Sequence, residues 1–364
     1  MIARVSGEFL PGVELGRRFY RVAVKPLLDR HVPGLRHSAA LIGPGSEILG
    51  FDSARSTDHN WGPRVQVFLR EDEAELCHDL GAMLSRELPE EFLGWPVRFP
   101  DVSADAWPVR HRVSVAGLGS WLTGELGFDP RTDVTVADWL ATPTQLLAEV
   151  TGGAVFHDGL APAGLGAARV ALAWYPDDVW RYVLACQWQR IGQEEAFPGR
   201  CAESGDDLGS AIITARLARD ASRLAMLMKR IYPPYAKWHA SAFARLPGVD
   251  VLHGELSRAV AATDWQERER GLCAAWGELA RWHNELGLTE PLDPAVRQFY
   301  DRPYLVIGAE RFSVALRNSI GADLIRDLPL IGAVDQFIDS TDAVGWPALR
   351  RTAVTALLKR HSAT

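Results

Sequence analysis

Gly45-Ser46 ends an apolar run, and a short way beyond it Asp58 and Asn60 stand two positions apart, followed by Arg64. A glycine at a turn lets a backbone approach a phosphate chain closely, and the Ser46 hydroxyl with its neighbouring amides can donate to phosphate oxygens. Side chains two apart on a strand share a face, so acids in that register can hold one magnesium ion. Such a metal bridges phosphates and offsets the charge that develops as a phosphoryl group is attacked. Arg64, with its planar fork, can fold back over an anion, or can pair with Asp52 or Asp58.

Further along, Glu194-Glu195 precedes Phe197-Pro198-Gly199-Arg200, which reads either as a general base beside a phosphate-binding arginine or as an exposed charge pair at a helix end. Asp206-Asp207 after Gly205 reads first as a helix N-cap, with one of the two acids left as a metal or base candidate. Lys237 lies in the rigid aromatic stretch 232 to 239, and a point charge on a flexible stem suits a phosphate. His59 alternates to the face opposite Asp58 and reads as a packing residue. No HxxxH or CxxC pair occurs among the histidines and cysteines, so zinc is not expected. Gly164-Leu165-Gly166 lacks the third glycine of a dinucleotide fingerprint.

Positioning these residues requires a mixed sheet. The pattern predicts a helix over residues 8 to 31, a strand over 37 to 43 ending at Pro44-Gly45, a strand from Val65 to Leu69, and an acidic helix from Glu71 to Leu88. Residues 93 to 105 have no clear period, and strand-like alternation resumes from His111 to Leu118. From Val136 onward the periodicity is helical, broken by prolines. The expectation is an α+β protein: a small α/β head over residues 1 to 132 and a large all-helical domain over 133 to 364, with no internal repeat and no flexible linker between them.

Gly45-Ser46, the spacer and Asp58-x-Asn60 before a strand resemble the nucleotidyltransferase superfamily, whose signature is Gly-Ser followed by Asp-x-Asp or Asp-x-Glu. More closely, residues 45 to 52, Ser56-Thr57-Asp58-His59 and Trp61-Gly62-Pro63-Arg64 look like the bacterial domain-of-unknown-function 4037 family, itself nucleotidyltransferase-like. The likeness continues in Trp174-Tyr175-Pro176, Gln193-Glu194-Glu195, Gly199-Arg200, residues 205 to 210, Tyr235-Ala236-Lys237-Trp238, His283-Asn284 and Asp335-Gln336, nearly the whole chain. Lys237-Trp238 is also similar to the lysine-tryptophan step of aminoglycoside nucleotidyltransferases, where the lysine faces nucleotide phosphates. The resemblance implies a nucleotidyltransferase-like fold and a nucleoside triphosphate bound with magnesium. Gly45 and Ser46 would hold phosphates with Arg64, Arg200 and Lys237 as further anion-binding residues. Asp58 would ligate the metal with Asn60 assisting, and Glu195 or Asp206 would act on the acceptor. One departure matters: Asn60 stands where the superfamily has an acid, and Ser114 is the central residue of the strand that would carry the third carboxylate.

The composition is that of an ordinary globular chain: 364 residues, 47% hydrophobic and 23% charged, with a net charge of −7. That charge supplies no basic field for nucleic acid, so a small-molecule substrate is expected and a nucleic-acid partner is not. No apolar run is long enough for a membrane span, no secretory leader is recognised, and the four cysteines are unpaired in pattern, which together predict a cytoplasmic protein with reduced thiols. Thirteen tryptophans are read chiefly as core packing. The expected activity is transfer of a nucleotidyl group to a small molecule. Two alternatives stand beside it: a catalytically silent nucleotide- or anion-binding protein, and an enzyme of specialised metabolism that reuses the pocket with Asp58, His59 and Lys237 as acid-base groups.

Overall fold

The computed structural model describes residues 8–58, 61–98 and 111–359, and the chain divides into two compact units, Met1–Val134 with Leu146–Ala173, and Thr135–Gln145 with Trp174–Thr364. The protein is α+β, with a four-stranded mixed sheet in the first unit and mostly helices in the second.

The first unit opens with α1 (Gly12–Phe19), a π turn (Tyr20–Val24) and α2 (Lys25–His31). Leu15, Phe19, Val24 and Leu28 are fully buried, and the longer step from Phe19 to Val24 falls where the π turn inserts its extra residue, so one apolar stripe continues through both helices. That stripe meets β2 (Val65–Leu69) and α3 (Leu76–Glu87), in a core that includes Phe19, Val67, Leu80 and Leu84. β1 (Ser38–Leu41) precedes β2, and a short hairpin, β3 (Glu91–Phe92) with β4 (Trp95–Pro96), precedes β5 (Val113–Gly117). Then follow α4 (Leu118–Leu126), α5 (Val136–Ala141), which belongs to the second unit, α6 (Thr144–Thr151), whose residues from Leu146 return to the first, β6 (Ala154–Asp158) and α7 (Leu165–Ala171).

The sheet order is β5-β2-β1-β6, with β1 antiparallel to both neighbours and β2 parallel to β5. Val65 lies opposite Val113 and Gln66 opposite Ser114. Because side chains alternate, Val65, Val67 and Val113 turn to the helical core. The same alternation places Arg64, Gln66, Arg112 and Ser114 together on the other face. β6 corrects the expectation of a purely helical chain beyond Val136. It is bracketed by Gly152-Gly153 and Asp158-Gly159, and every one of its positions is half-buried, which leaves no clean alternation to read. The Asp158 carboxylate receives the Ser38 hydroxyl and the Gly166 N–H, the latter at 2.9 Å, fastening β6 to β1 and to the start of α7. A Cβ on Gly164 would lie 2.1 Å from that carboxylate, so the Gly164-Leu165-Gly166 glycines serve this anchor.

In the second unit the central helix is α8 (Asp177–Glu194), where the consecutive residues Tyr182, Val183, Leu184, Ala185 and Cys186 are all buried, the mark of a helix enclosed on every side. Around it come α9 (Phe197–Glu203), α10 (Asp207–Met228), α11 (Ala236–Phe243), α12 (Asp250–Ala261), α13 (Trp265–Glu285) and α14 (Glu310–Asn318). The unit is not all-helical: β7 (Arg297–Gln298) and β8 (Leu305–Val306) form a short antiparallel ladder. Among the described residues no helix is long and apolar enough to cross a membrane.

Candidate functional site

A cleft of about 350 Å³ opens at the end of the sheet where β1 stops and β2 and β5 begin, lined by Leu41, Ile42, Pro44, residues 64–66 and residues 111–114. The parallel register sets Arg64 beside Arg112 and Gln66 beside Ser114. Gln66 is held flat: its amide oxygen accepts from the Ile42 N–H at 2.9 Å and its amide nitrogen donates to the Ile42 carbonyl at 3.0 Å, extending the β1–β2 pairing by a side chain. His111 is fixed by the Gly81 carbonyl (3.2 Å) and the Val113 N–H (3.1 Å), and burial holds its ring below the ordinary histidine pKa. Burial also lowers the Arg112 pKa, and the Arg64 charge adds to that effect, as expected for two guanidiniums facing one small space.

The turn after β1 explains Gly45. Glu47, only 5% exposed, is ion-paired to Arg64, whose Nη2 also donates to the Pro44 carbonyl at 3.3 Å. Gly45 has φ of +152°, and a Cβ there would lie 2.6 Å from Glu47 Oε2 and 2.9 Å from Arg64 Nη2. The glycine therefore makes room for a buried ion pair under the turn. Arg64 pairs with Glu47 and not with Asp52, whose carboxylate instead accepts from the Gly12 N–H (2.7 Å) and the Trp61 indole (3.1 Å), fixing the start of α1. The Arg64 Nε is buried with no hydrogen-bond partner among the described residues, a donor of the kind that an anion or an ordered water satisfies. Ser46 lies in the same turn, its hydroxyl donating to Ser56 at 3.4 Å. Asp58 closes a 3₁₀ turn (Ala54–Asp58) ahead of β2 instead of standing on the strand, and Asn60 and His59 lie outside the described residues.

Glu195, Arg200, Asp206 and Lys237 belong to the second unit. The Glu195 carboxylate accepts three backbone N–H groups, from Ile307 (2.9 Å), Gly308 (3.0 Å) and Ala309 (3.1 Å), so both oxygens are engaged in shaping the entry to α14. Burial raises its pKa and those three donors oppose the rise. Asp206 is the N-cap of α10, accepting from the Gly209 N–H at 2.8 Å, while Asp207 pairs with the buried Arg268. Arg200 lies over the Phe197 ring at 5.4 Å, and exposed Lys237 over its neighbour Trp238 at 4.9 Å. His283-Asn284 is structural: Asn284 exchanges two hydrogen bonds with the Leu292 backbone, and the His283 ring packs 5.0 Å from Phe312. Asp335 accepts from the Thr144 backbone and hydroxyl, and pairs with Arg223 at 3.2 Å.

Sequence reasoning missed Arg112, Gln66 and Glu47. Arg112 and Ser114 share strand parity, which was legible, but the parallel pairing that brings them beside Arg64 and Gln66 was not. No group of three or more His, Cys, Asp or Glu side chains is placed to hold a metal among the described residues. The described lining of the cleft offers two guanidiniums, the Ser114 hydroxyl, the His111 ring and the Gln66 amide, the last two already hydrogen-bonded to the backbone. The two guanidiniums are groups that suit an anion.

In comparison with known proteins, one family matches: the domain of unknown function DUF4037, over residues 139–239. The match takes in Trp174-Tyr175-Pro176, Gln193-Glu194-Glu195, Gly199-Arg200, the start of α10 and Lys237-Trp238, and does not include the Gly45 to Arg64 segment. Neither curated proteins nor solved structures yielded a match.

Proposed function

We propose that this chain is a nucleotidyltransferase-like protein whose first unit binds the phosphate groups of a nucleoside triphosphate and serves transfer of a nucleotidyl group to a small molecule. The observation that carries the reading is the cleft at the end of β1, where Pro44 of the Gly45 turn, Arg64 and Arg112 meet at one end of a mixed sheet. A bidentate guanidinium suits a phosphate oxygen pair, and two of them hold a chain of phosphates in a fixed direction. In the reaction an acceptor oxygen attacks the α-phosphorus, a new phosphorus–oxygen bond forms, and the bond to the departing pyrophosphate breaks. The part assigned to Arg64 and Arg112 is to orient the phosphates and to offset charge.

A second reading, a binding protein that transfers nothing, is favoured by Ser114, which stands on the strand where the superfamily resemblance implies a metal-binding carboxylate. The two are separated by titrating each of the four common ribonucleoside triphosphates calorimetrically and by assaying pyrophosphate release in the presence of hydroxyl and carboxyl acceptors. The transferase reading expects at least one triphosphate to bind, with Arg112→Met weakening it about tenfold or more, and pyrophosphate to appear with an acceptor. Binding without pyrophosphate selects the second reading. Failure of every triphosphate to bind contradicts both.

A further inference from the structure

We propose that the second unit holds an anion site of its own, in which Arg216 and Arg219 of α10 take the phosphate of a small phosphate monoester and Asp339 is the resident carboxylate that this phosphate displaces. The inference is independent of the nucleotide reading of the first unit. A cleft of about 460 Å³ is lined by three arginines, Arg190 of α8 with Arg216 and Arg219 of α10, and by residues 335–339. Three apart on a helix, Arg216 and Arg219 share a face, and like charges at that spacing repel. An oxyanion between them would turn that repulsion into attraction.

The ion pairs around the cleft differ in how firmly they are held. Arg190 is fixed: it pairs with the buried Asp220 at 3.4 Å and donates to the Gln336 carbonyl at 2.8 Å. Arg223, the next turn of α10, pairs with the Asp335 carboxylate at 3.2 Å and donates to the Asp335 carbonyl at 3.2 Å, which holds the 335–339 segment against the helix. Arg216 meets Glu194 at 3.0 Å and keeps about half of its side chain exposed. Arg219 is likewise 49% exposed, and its partner Asp339, at 3.4 Å, is 87% exposed. A pair that open to water is weakly held and screened, so an incoming anion can replace the Asp339 carboxylate without breaking the buried pairs. A carboxylate fills one guanidinium fork, whereas the three terminal oxygens of a phosphate monoester can engage two at once. Phe337 and Ile338, in the same lining, give the organic part an apolar surface.

The test is calorimetric titration of the full chain with phenyl phosphate, with inorganic phosphate and benzoate as comparisons. Phenyl phosphate is expected to bind more tightly than either. Arg219→Gln, at a half-exposed position, is expected to weaken it about tenfold or more, and Asp339→Asn, which removes the competing charge, to tighten it about threefold. A gain of affinity does not come from a damaged fold. No binding of phenyl phosphate at millimolar concentration overturns the proposal, as does binding that Arg219→Gln leaves unchanged, since the ligand would then sit elsewhere. Asp339→Asn that binds no more tightly than the parent chain also overturns it, because Asp339 would then not be displaced. Benzoate that binds as tightly as phenyl phosphate overturns the assignment to a phosphate, and inorganic phosphate that does so overturns the assignment to an organic ester. The triphosphate titration of the first unit stands or falls separately from each of these outcomes.

Discussion

At the scale of single residues, the Glu47–Arg64 pair governs the turn. Removing one partner strands a buried charge, so Glu47→Gln is expected to cost about 3 kcal/mol in urea unfolding. Glu47→Gln combined with Arg64→Met should recover part of that loss, since no unpaired guanidinium remains. Equal losses in the single and double variants would show that the pair is not the cause. Gly45→Ala tests the same packing from the other side. The strained φ and the close approach to Glu47 predict a loss of about 2 kcal/mol, whereas an unchanged midpoint would show that the turn relaxes freely.

Elements carry the next level. Asp158 ties β6 to β1 through Ser38 and to α7 through Gly166, which makes the edge strand depend on one carboxylate. Asp158→Ala should cost about 2 kcal/mol by analogy with a lost cap, and amide exchange should quicken first in β6 and in the β1 amides facing it. Exchange that quickens equally everywhere would argue against a local anchor. The strands from Val65 to Leu69 and near Val113 were legible because Val65-x-Val67 and Val113-x-Val115 alternate plainly, and α1 through α2 because their apolar stripe is wide. β6 was not, because its residues are half-buried on both faces and send no periodic signal. For the site, Gly45, Ser46 and Arg64 were visible from turn chemistry. Arg112 and Gln66 depend on strand pairing and register, which a one-dimensional pattern does not encode.

At the scale of the whole molecule, buried histidines set the response to acid. Burial holds His239 and His283 down to about 4, and lowers His37 and His111 as well. Each is therefore kept neutral when folded and binds its proton more readily when unfolded, where the ordinary value is about 6.5. The stability they contribute is complete above about pH 6.5 and is lost as pH falls toward about 4, with His283 alone accounting for about 3 kcal/mol across that window. Thermal unfolding at pH 7 and pH 4.5 should show the loss. His283→Gln, which keeps a side-chain partner for Thr289, should show a shallower pH dependence than the parent chain. A parallel dependence in both would assign the acid response to other groups.

The central claim, that a triphosphate occupies the cleft between Pro44, Arg64 and Arg112, is tested most directly by hydrogen–deuterium exchange of the full chain with and without saturating ATP, in magnesium chloride and in EDTA. The account predicts slowed exchange in three separate stretches, at residues 42 to 46, 64 to 66 and 112 to 114, and loss of that pattern in Arg112→Met. Protection confined to other stretches, or none at a concentration where ATP binds, would contradict it.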